Sequence, residues 1–193
     1  KRIVDAARRM GVKLMVNLGN RWRPEVIAMK ERIAGGEIGV PVMGYSRSSD
    51  AISVPTQMLS WSGKSGPHWF LFPHSMDLMR WFIEQEPQEV YAIGTKGVLA
   101  DKGIDAYDAI QAMVRFETSF ITFETCWILP NAWPDLVEWA MALYGTKGRI
   151  AMEHMFSTTT IVTDKYAFIR PAIRSFGKLT GYYFEAQKHF IDC

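Results

Sequence analysis

The stretch Trp69–Ile83 reads W-F-L-F-P-H-S-M-D-L-M-R-W-F-I, and it limits what this chain can become more than any other segment. At about 100° per residue, Phe72, Met76, Met79 and Ile83 fall on one stripe of a helix. His74, Asp77, Leu78 and Trp81 gather on the opposite side, and only Arg80 and Ser75 suggest contact with water. A helix that is apolar almost all round needs cover on both sides. Its second face carries His74 and Asp77 one turn apart. Two readings stay open on spacing alone: a core helix with a satisfied polar pair, or the floor of an active site.

The size of the chain allows that cover. Its 193 residues suit one good-sized domain, or one domain with part of another, and 48% hydrophobic content supplies an ample core. A formal net charge of +2 gives no basis for a nucleic-acid partner or an acidic membrane surface. No run approaches the ~18 apolar residues that a membrane span needs. Cys126 and Cys193 share no motif spacing, so neither a disulfide framework nor a zinc site is indicated, and a reducing, cytoplasmic setting is expected. Both ends look interior to a longer chain. Lys1–Met10 is helical from its first residue with no N-cap before it, and the helical Tyr182–Ile191 runs to Cys193 without a capping signal.

After the first helix, Gly11 is a plausible C-cap and Val12–Asn17 reads as a short strand. A helix, a glycine and a buried strand form the repeating unit of a parallel α/β sheet, so residues 1–20 are expected to be the last αβ unit of such a domain. Asn20, Arg21, Trp22 and Arg23 follow at the strand's C-terminal end, the edge at which open α/β sheets bind ligands. Arg21 and Arg23 read equally well as two solvated charges at a helix start. Pro24 then opens a helix over Pro24–Ala34, closed by Gly35-Gly36.

Strands dominate from there on. Val40–Ser46 is one, extending at most to Ser49, and Ser53–Pro67 is a long loop rich in Pro, Ser and Gly. Past the central helix come Glu89–Gly94, Tyr107–Phe116, Phe120–Ile128, Leu136–Tyr144, Arg149–Glu153, Thr158–Thr163 and Tyr166–Arg170, with Gly145–Gly148 as a hairpin turn. Ile110, Ala112, Val114 and Phe116 alternate with Gln111, Met113 and Arg115. Successive hairpins imply an open, predominantly antiparallel sheet of about six strands, with helices on one face: an α+β layout. The other face, with Gln111, Met113, Thr122, Glu124 and Cys126, is either a half-polar solvent face or a homodimer contact.

Few residues have the chemistry of a reaction centre. A neutral imidazole such as His74 can take or give a proton near pH 7, and it can equally be a core histidine bonded to a carbonyl. Asp77 could orient His74 or pair with Arg80. His68, at the end of the loop, could reach the same pocket or cap the helix. His154 and His189 have no companions and read as surface or packing residues. Metal-binding spacings are absent, as are Walker loops, nucleophile elbows and Gly-x-Gly-x-x-Gly.

Taken together, several stretches do resemble a family. G-V-K-L-M-V-N-L-G-N-R-W-R-P, then I-A-G-G-E-I-G-V-P, then H-S-M-D-L-M-R-W are similar in order and spacing to the Gfo/Idh/MocA oxidoreductases. Y-D-A-I-Q-A-M-V-R-F and L-Y-G-T-K-G-R-I continue the resemblance over nearly the whole chain. It implies an upstream Rossmann domain, of which residues 1–20 would be the remnant. Residues 21–193 would then be the C-terminal substrate-binding and dimerisation domain. It also implies NAD or NADP as cofactor, mostly held by the upstream domain, a small sugar or polyol as substrate, and a homodimer or tetramer built through the open sheet face. The family histidine matches His74, which becomes the expected proton donor or acceptor. Asn20, Arg21 and His68 are expected to bind substrate and Asp77 to brace the site. Family members carry a catalytic lysine upstream, and many have an aspartate four residues before the histidine, where this chain has Phe70. Three outcomes follow from that departure: His74 works with the lysine alone, or with His68 as a substitute, or the chain has changed substrate or lost activity. The rival is a non-catalytic sugar-binding or dimerising module of the same fold.

Overall fold

The structure is a computed structural model, and it describes residues 1–153, 158–163, 166–169 and 182–193. Among these residues the fold is α+β. Helices α1 (Arg2–Met10), α2 (Pro24–Ala34), α3 (Pro67–Ile83) and α4 (Tyr182–Asp192) accompany one sheet. Its strands are β1 (Pro41–Asp50), β2 (Glu89–Thr95), β3 (Ala109–Arg115), β4 (Phe120–Cys126), β5 (Val137–Gly145), β6 (Arg149–Glu153), β7 (Thr158–Val162) and β8 (Tyr166–Ile169). They lie in the order β2-β3-β4-β1-β5-β6-β7-β8, so the sheet has eight strands and not about six. Every neighbouring pair is antiparallel except β1 with β4. The first strand in sequence therefore sits at the centre, between two strands that are made much later. The expected end of the last strand, Arg170, lies outside the described residues, as does His154.

One face of the sheet is covered. Val26, Met29 and Ile33 of α2 join Leu78, Met79, Phe82 and Ile83 of α3 over Val114, Ile121, Phe123, Met141, Leu143 and Ile150 of the sheet. Each large apolar side chain buried here contributes about 1.5–3 kcal/mol. The β1 connection is pinned at its start by Gly39, whose φ of +72° suits a residue without Cβ; a Cβ there would meet the Thr146 hydroxyl. Val40 N donates to Thr146 Oγ1 at 3.1 Å, and Lys147 N to the Ile38 carbonyl at 2.9 Å. These bonds tie the start of β1 to the β5–β6 hairpin.

Helix α3 differs from its sequence pattern in three ways. It begins at Pro67 behind the N-cap Gly66, two residues earlier than the pattern suggests. It continues through Pro73, whose missing N–H would have bonded the carbonyl of Trp69. Trp69 and Pro73 are both exposed, so water can serve that carbonyl. The buried stripe is Leu71, Ser75, Leu78 and Phe82 with Met79 and Ile83, while Phe72 and Met76 lie at the edge of the core. Ser75 is fully buried, contrary to its polar character, and Trp69 is 72% exposed, so the helix is not covered all round.

Two further expectations are corrected. Val12–Asn17 forms no strand, because a strand exists only as part of a ladder and no described residue pairs with it; Val16 is 76% exposed. The segment before α3 is not featureless either: it holds a helical turn at Val54–Met58 and another at Ser62–Lys64.

Candidate functional site

The period-two alternation of β1 sets the site. Gly44, Ser46, Ser48 and Asp50 point to the helix-covered face, while Tyr45, Arg47 and Ser49 point to the open one. Ser46, Ser48 and Asp50 are all at most 5% exposed, an unusual polar row for a central strand. Near the end of that row lies a cleft of about 340 Å³, walled by Asn20, Ser48, Asp50, Phe70, His74 and Trp139, among others. A groove of about 570 Å³ on the open face, at Val42, Tyr91, Met113 and Phe120, is larger. The smaller cleft is the better candidate site, because it gathers buried titratable groups where α3, β1 and the Gly19–Trp22 turn meet.

His74 stands on α3 one turn after Phe70. Its Nδ1 is sealed from solvent with no hydrogen-bond partner. Burial pushes its pKa below the ordinary histidine value and outweighs the opposing pull of the Asp77 charge, so the ring is neutral at neutral pH. Asn20 reaches the same cleft from the turn that follows Leu18.

The other expected residues are placed elsewhere. Arg21 is not a wall residue; its Nε and Nη2 donate to Asp77 Oδ2 and Oδ1 at 2.7 and 2.6 Å, with its guanidinium 5.2 Å from the Trp81 ring. Asp77 thus takes Arg21 and not Arg80, which pairs with Glu86. It is Arg23 that faces the cleft, its guanidinium 4.9 Å from the Trp139 ring and its Nε bonded to Glu25. His68 lies within the first turn of α3, against Trp69 and Tyr107, and is not among the cleft's wall residues. His189 packs on Trp22 at a centroid distance of 5.6 Å.

Asp50 is the residue that the sequence reading missed. It is 1% exposed, and its Oδ2 accepts the indole N–H of the fully buried Trp127 at 3.1 Å. Its Oδ1 has no partner. Desolvation outweighs the indole's hydrogen bond and pushes its pKa up to about 6. Phe70 packs edge-on against Trp127, at 5.8 Å between centroids. The signal was available in Ser46-Arg47-Ser48-Ser49-Asp50, once β1 is known to be central and to reach Asp50.

Among the described residues no group of three or more His, Cys, Asp or Glu could hold a metal ion. What the cleft offers is a hydrogen-bonding set, an imidazole, a side-chain amide, a hydroxyl and a carboxyl, beside the aromatic faces of Phe70 and Trp139. That donor set fits a polyhydroxylated guest and the polar carboxamide edge of a nicotinamide.

A family model described as the GFO/IDH/MocA C-terminal domain matches residues 26–151. The chain is similar to an inositol 2-dehydrogenase of Rubrobacter xylanophilus, 33% identical over 49% of this chain and 26% of that protein. It is also similar to a myo-inositol 2-dehydrogenase of Thermotoga maritima, 24% identical over 85% of this chain and 48% of the relative. It therefore spans about half, or less, of the length of these curated relatives. The solved structure of a levoglucosan dehydrogenase in complex with NADH and levoglucosan superposes with a TM-score of 0.75 at 21% identity, covering 96% of this chain and 58% of that one. At that identity the likeness establishes the fold.

Proposed function

This chain belongs to the GFO/IDH/MocA family, and from that premise we propose that it is the substrate-binding part of a nicotinamide-dependent dehydrogenase acting on a polyol or sugar. The observation that carries the reading is His74: a neutral, half-buried imidazole in a cleft whose other walls supply hydrogen bonds to hydroxyls. The curated relatives named above are inositol dehydrogenases, which supports a cyclic polyol. The levoglucosan dehydrogenase was solved with NADH, which supports the cofactor class, whether NAD or NADP.

His74 acts as the general base in the oxidative direction. With hydrogen on the sealed Nδ1, the Nε2 lone pair takes the proton of the substrate hydroxyl as the carbon loses its hydride, and returns it in reduction. A bound nicotinamide supplies the two-electron hydride acceptor. Asn20 meets the carboxamide edge or a second hydroxyl, and Arg21 acts on the site only through Asp77, by holding the Gly19–Trp22 turn against α3. His68 stays outside this reaction.

Residues 1–20 fit the end of an upstream dinucleotide-binding domain, and residues 21–193 the C-terminal domain. Helix α1 has no buried residue, and Ile3, Met10, Val12 and Val16 are all exposed, as for a surface that a further layer covers. Exposed Val42, Tyr91, Met113 and Phe120 on the open sheet face suit a second copy of the same chain, giving a homodimer or a tetramer of such pairs. No helix among the described residues is long and apolar enough to cross a membrane, and Cys126 and Cys193 are both free thiols. We assign the reducing cytoplasm as the compartment on those thiols.

The test is a titration of NADH and NADPH against the full-length protein, followed by a screen of polyols for nicotinamide reduction. Cofactor binding with turnover of at least one polyol is expected. Binding of sugars with no cofactor binding would favour the non-catalytic module, for which Phe70 in the place of a carboxylate speaks.

A further inference from the structure

We propose that Asp50 is a second substrate-binding group of this cleft, its carboxyl hydrogen-bonding a hydroxyl on the carbon next to the one that His74 serves. The proposal rests on the polyol reading of the site and names the residue that would select a guest with neighbouring hydroxyls.

The argument starts from what a buried carboxyl needs. Asp108 in this chain shows the structural case: it is 5% exposed, and its two oxygens accept Leu99 N at 2.8 Å and Val98 N at 2.9 Å. Both oxygens have partners, and the side chain fixes a turn. Asp50 is buried more deeply and does half of this. Trp127 Nε1 occupies Oδ2 from the core side, and Oδ1 has no partner although water does not reach it. A buried polar atom without a partner is costly, and such an atom in a native fold calls for a ligand or another explanation.

The position of Asp50 supplies the ligand. It is a wall residue of the cleft that holds His74, and with Oδ2 turned to the indole, Oδ1 is the oxygen left for a guest. Its backbone is rigid: the Asp50 carbonyl accepts Leu129 N at 3.2 Å, and Asp50 pairs in register with Val137. A side chain on a central strand, braced from behind by a buried indole, meets the needs of a precise binding group. The charged side chains sharing the cleft are Arg23 and Asp135, both of which have partners of their own. A raised pKa near neutrality adds a chemical reason, since the same carboxyl can then accept from a hydroxyl when ionised or donate to one when protonated. The aromatic faces of Phe70 and Trp139 provide apolar walls for the C–H surface of a ring.

The experiment is calorimetric titration of myo-inositol, with glucose and glycerol alongside, into the full-length protein carrying its nicotinamide cofactor. Wild type is compared with Asp50→Asn, which keeps the oxygen that Trp127 bonds. Asp50→Ser serves as a second variant should Asp50→Asn not be recovered folded. The expected result is myo-inositol binding weakened at least tenfold in the variant, with NADH affinity unchanged and glycerol, the smallest of the three, least affected. Equal polyol binding by variant and wild type would overturn the assignment, and so would a wild type that binds none of the three. Failure of the dehydrogenase reading looks different: polyol binding that depends on Asp50 but no hydride transfer to NAD or NADP.

Discussion

Arg21 holds Asp77 in a two-point clasp, Nε to Oδ2 at 2.7 Å and Nη2 to Oδ1 at 2.6 Å, across 56 residues of sequence. One partner sits on the turn that carries Asn20, the other on the helix that carries His74, one turn away from it. The clasp therefore fixes the spacing of two cleft walls. Asp77 is mostly buried, at 12% side-chain exposure, and Arg21 is partly open, so the pair lies between a surface and a buried bridge. Arg21→Ala is expected to cost about 1–3 kcal/mol of unfolding free energy, and Arg21→Lys to recover little of it, because an ammonium cannot make the paired geometry. A double-mutant cycle with Asp77→Asn checks this. Additive single losses would mean that the clasp contributes nothing.

The two buried titratable groups of the cleft bend the pH dependence of stability in opposite senses. His74 has a folded-state pKa below its unfolded value, so its unfolded form binds the proton more readily and stability falls as pH drops through about 6.5. Asp50 has a folded-state pKa raised from 3.8 to about 6, so its contribution is full below pH 3.8 and is lost as pH rises through about 6. The separation corresponds to roughly 3 kcal/mol. Denaturant midpoints measured from pH 4 to pH 8 are expected to lose the falling limb between about 4 and 6 in Asp50→Asn, and to keep it in His74→Gln.

Gly39 is expected to tolerate no side chain. Its φ of +72° is strained for any L-residue, and a Cβ would press on Thr146 at the point where the β5–β6 hairpin anchors the start of β1. Gly39→Ala is predicted to destabilise by about 1–3 kcal/mol through the left-handed strain and that clash. Thermal unfolding reads the loss.

The open face gives a prediction about assembly. Met113 and Tyr91 are 48% and 69% exposed and neighbour each other across the β2–β3 pair. Met113→Glu would place a charge in the apolar contact proposed between two copies, and it is expected to convert that proposed homodimer to monomer in sedimentation while leaving the fold intact. An unchanged sedimentation coefficient would move the interface elsewhere.

Much of this molecule was legible in its sequence, and the misses have physical causes. The hairpin strands were readable because alternation and turn residues are local signals, and Ala112, Val114 and Phe116 are buried as their alternation with Gln111, Met113 and Arg115 implies. Val12–Asn17 has a strand's composition, but strands need partners, and composition does not supply them. Ser75 is polar, and in the sequence that suggests contact with water. At 0% exposure it sits in the middle of the packed stripe of α3, where a small side chain can be enclosed. Arg21 and Asp77 were each visible, but a pair 56 residues apart is a product of the tertiary fold. Asp50 was missed for a related reason. A polar row on a strand looks like a solvent face until the crossover that places β1 between β4 and β5 is known.

His74 is the centre of the functional account, and its removal is the most direct test. In the full-length protein, with a polyol that the wild type oxidises, His74→Ala is predicted to lower kcat by roughly 100-fold or more while NADH binds as before. The loss should be smaller at high pH, where hydroxide can replace the missing base. A variant that oxidises the polyol at the wild-type rate would contradict the account and return His74 to the core of helix α3.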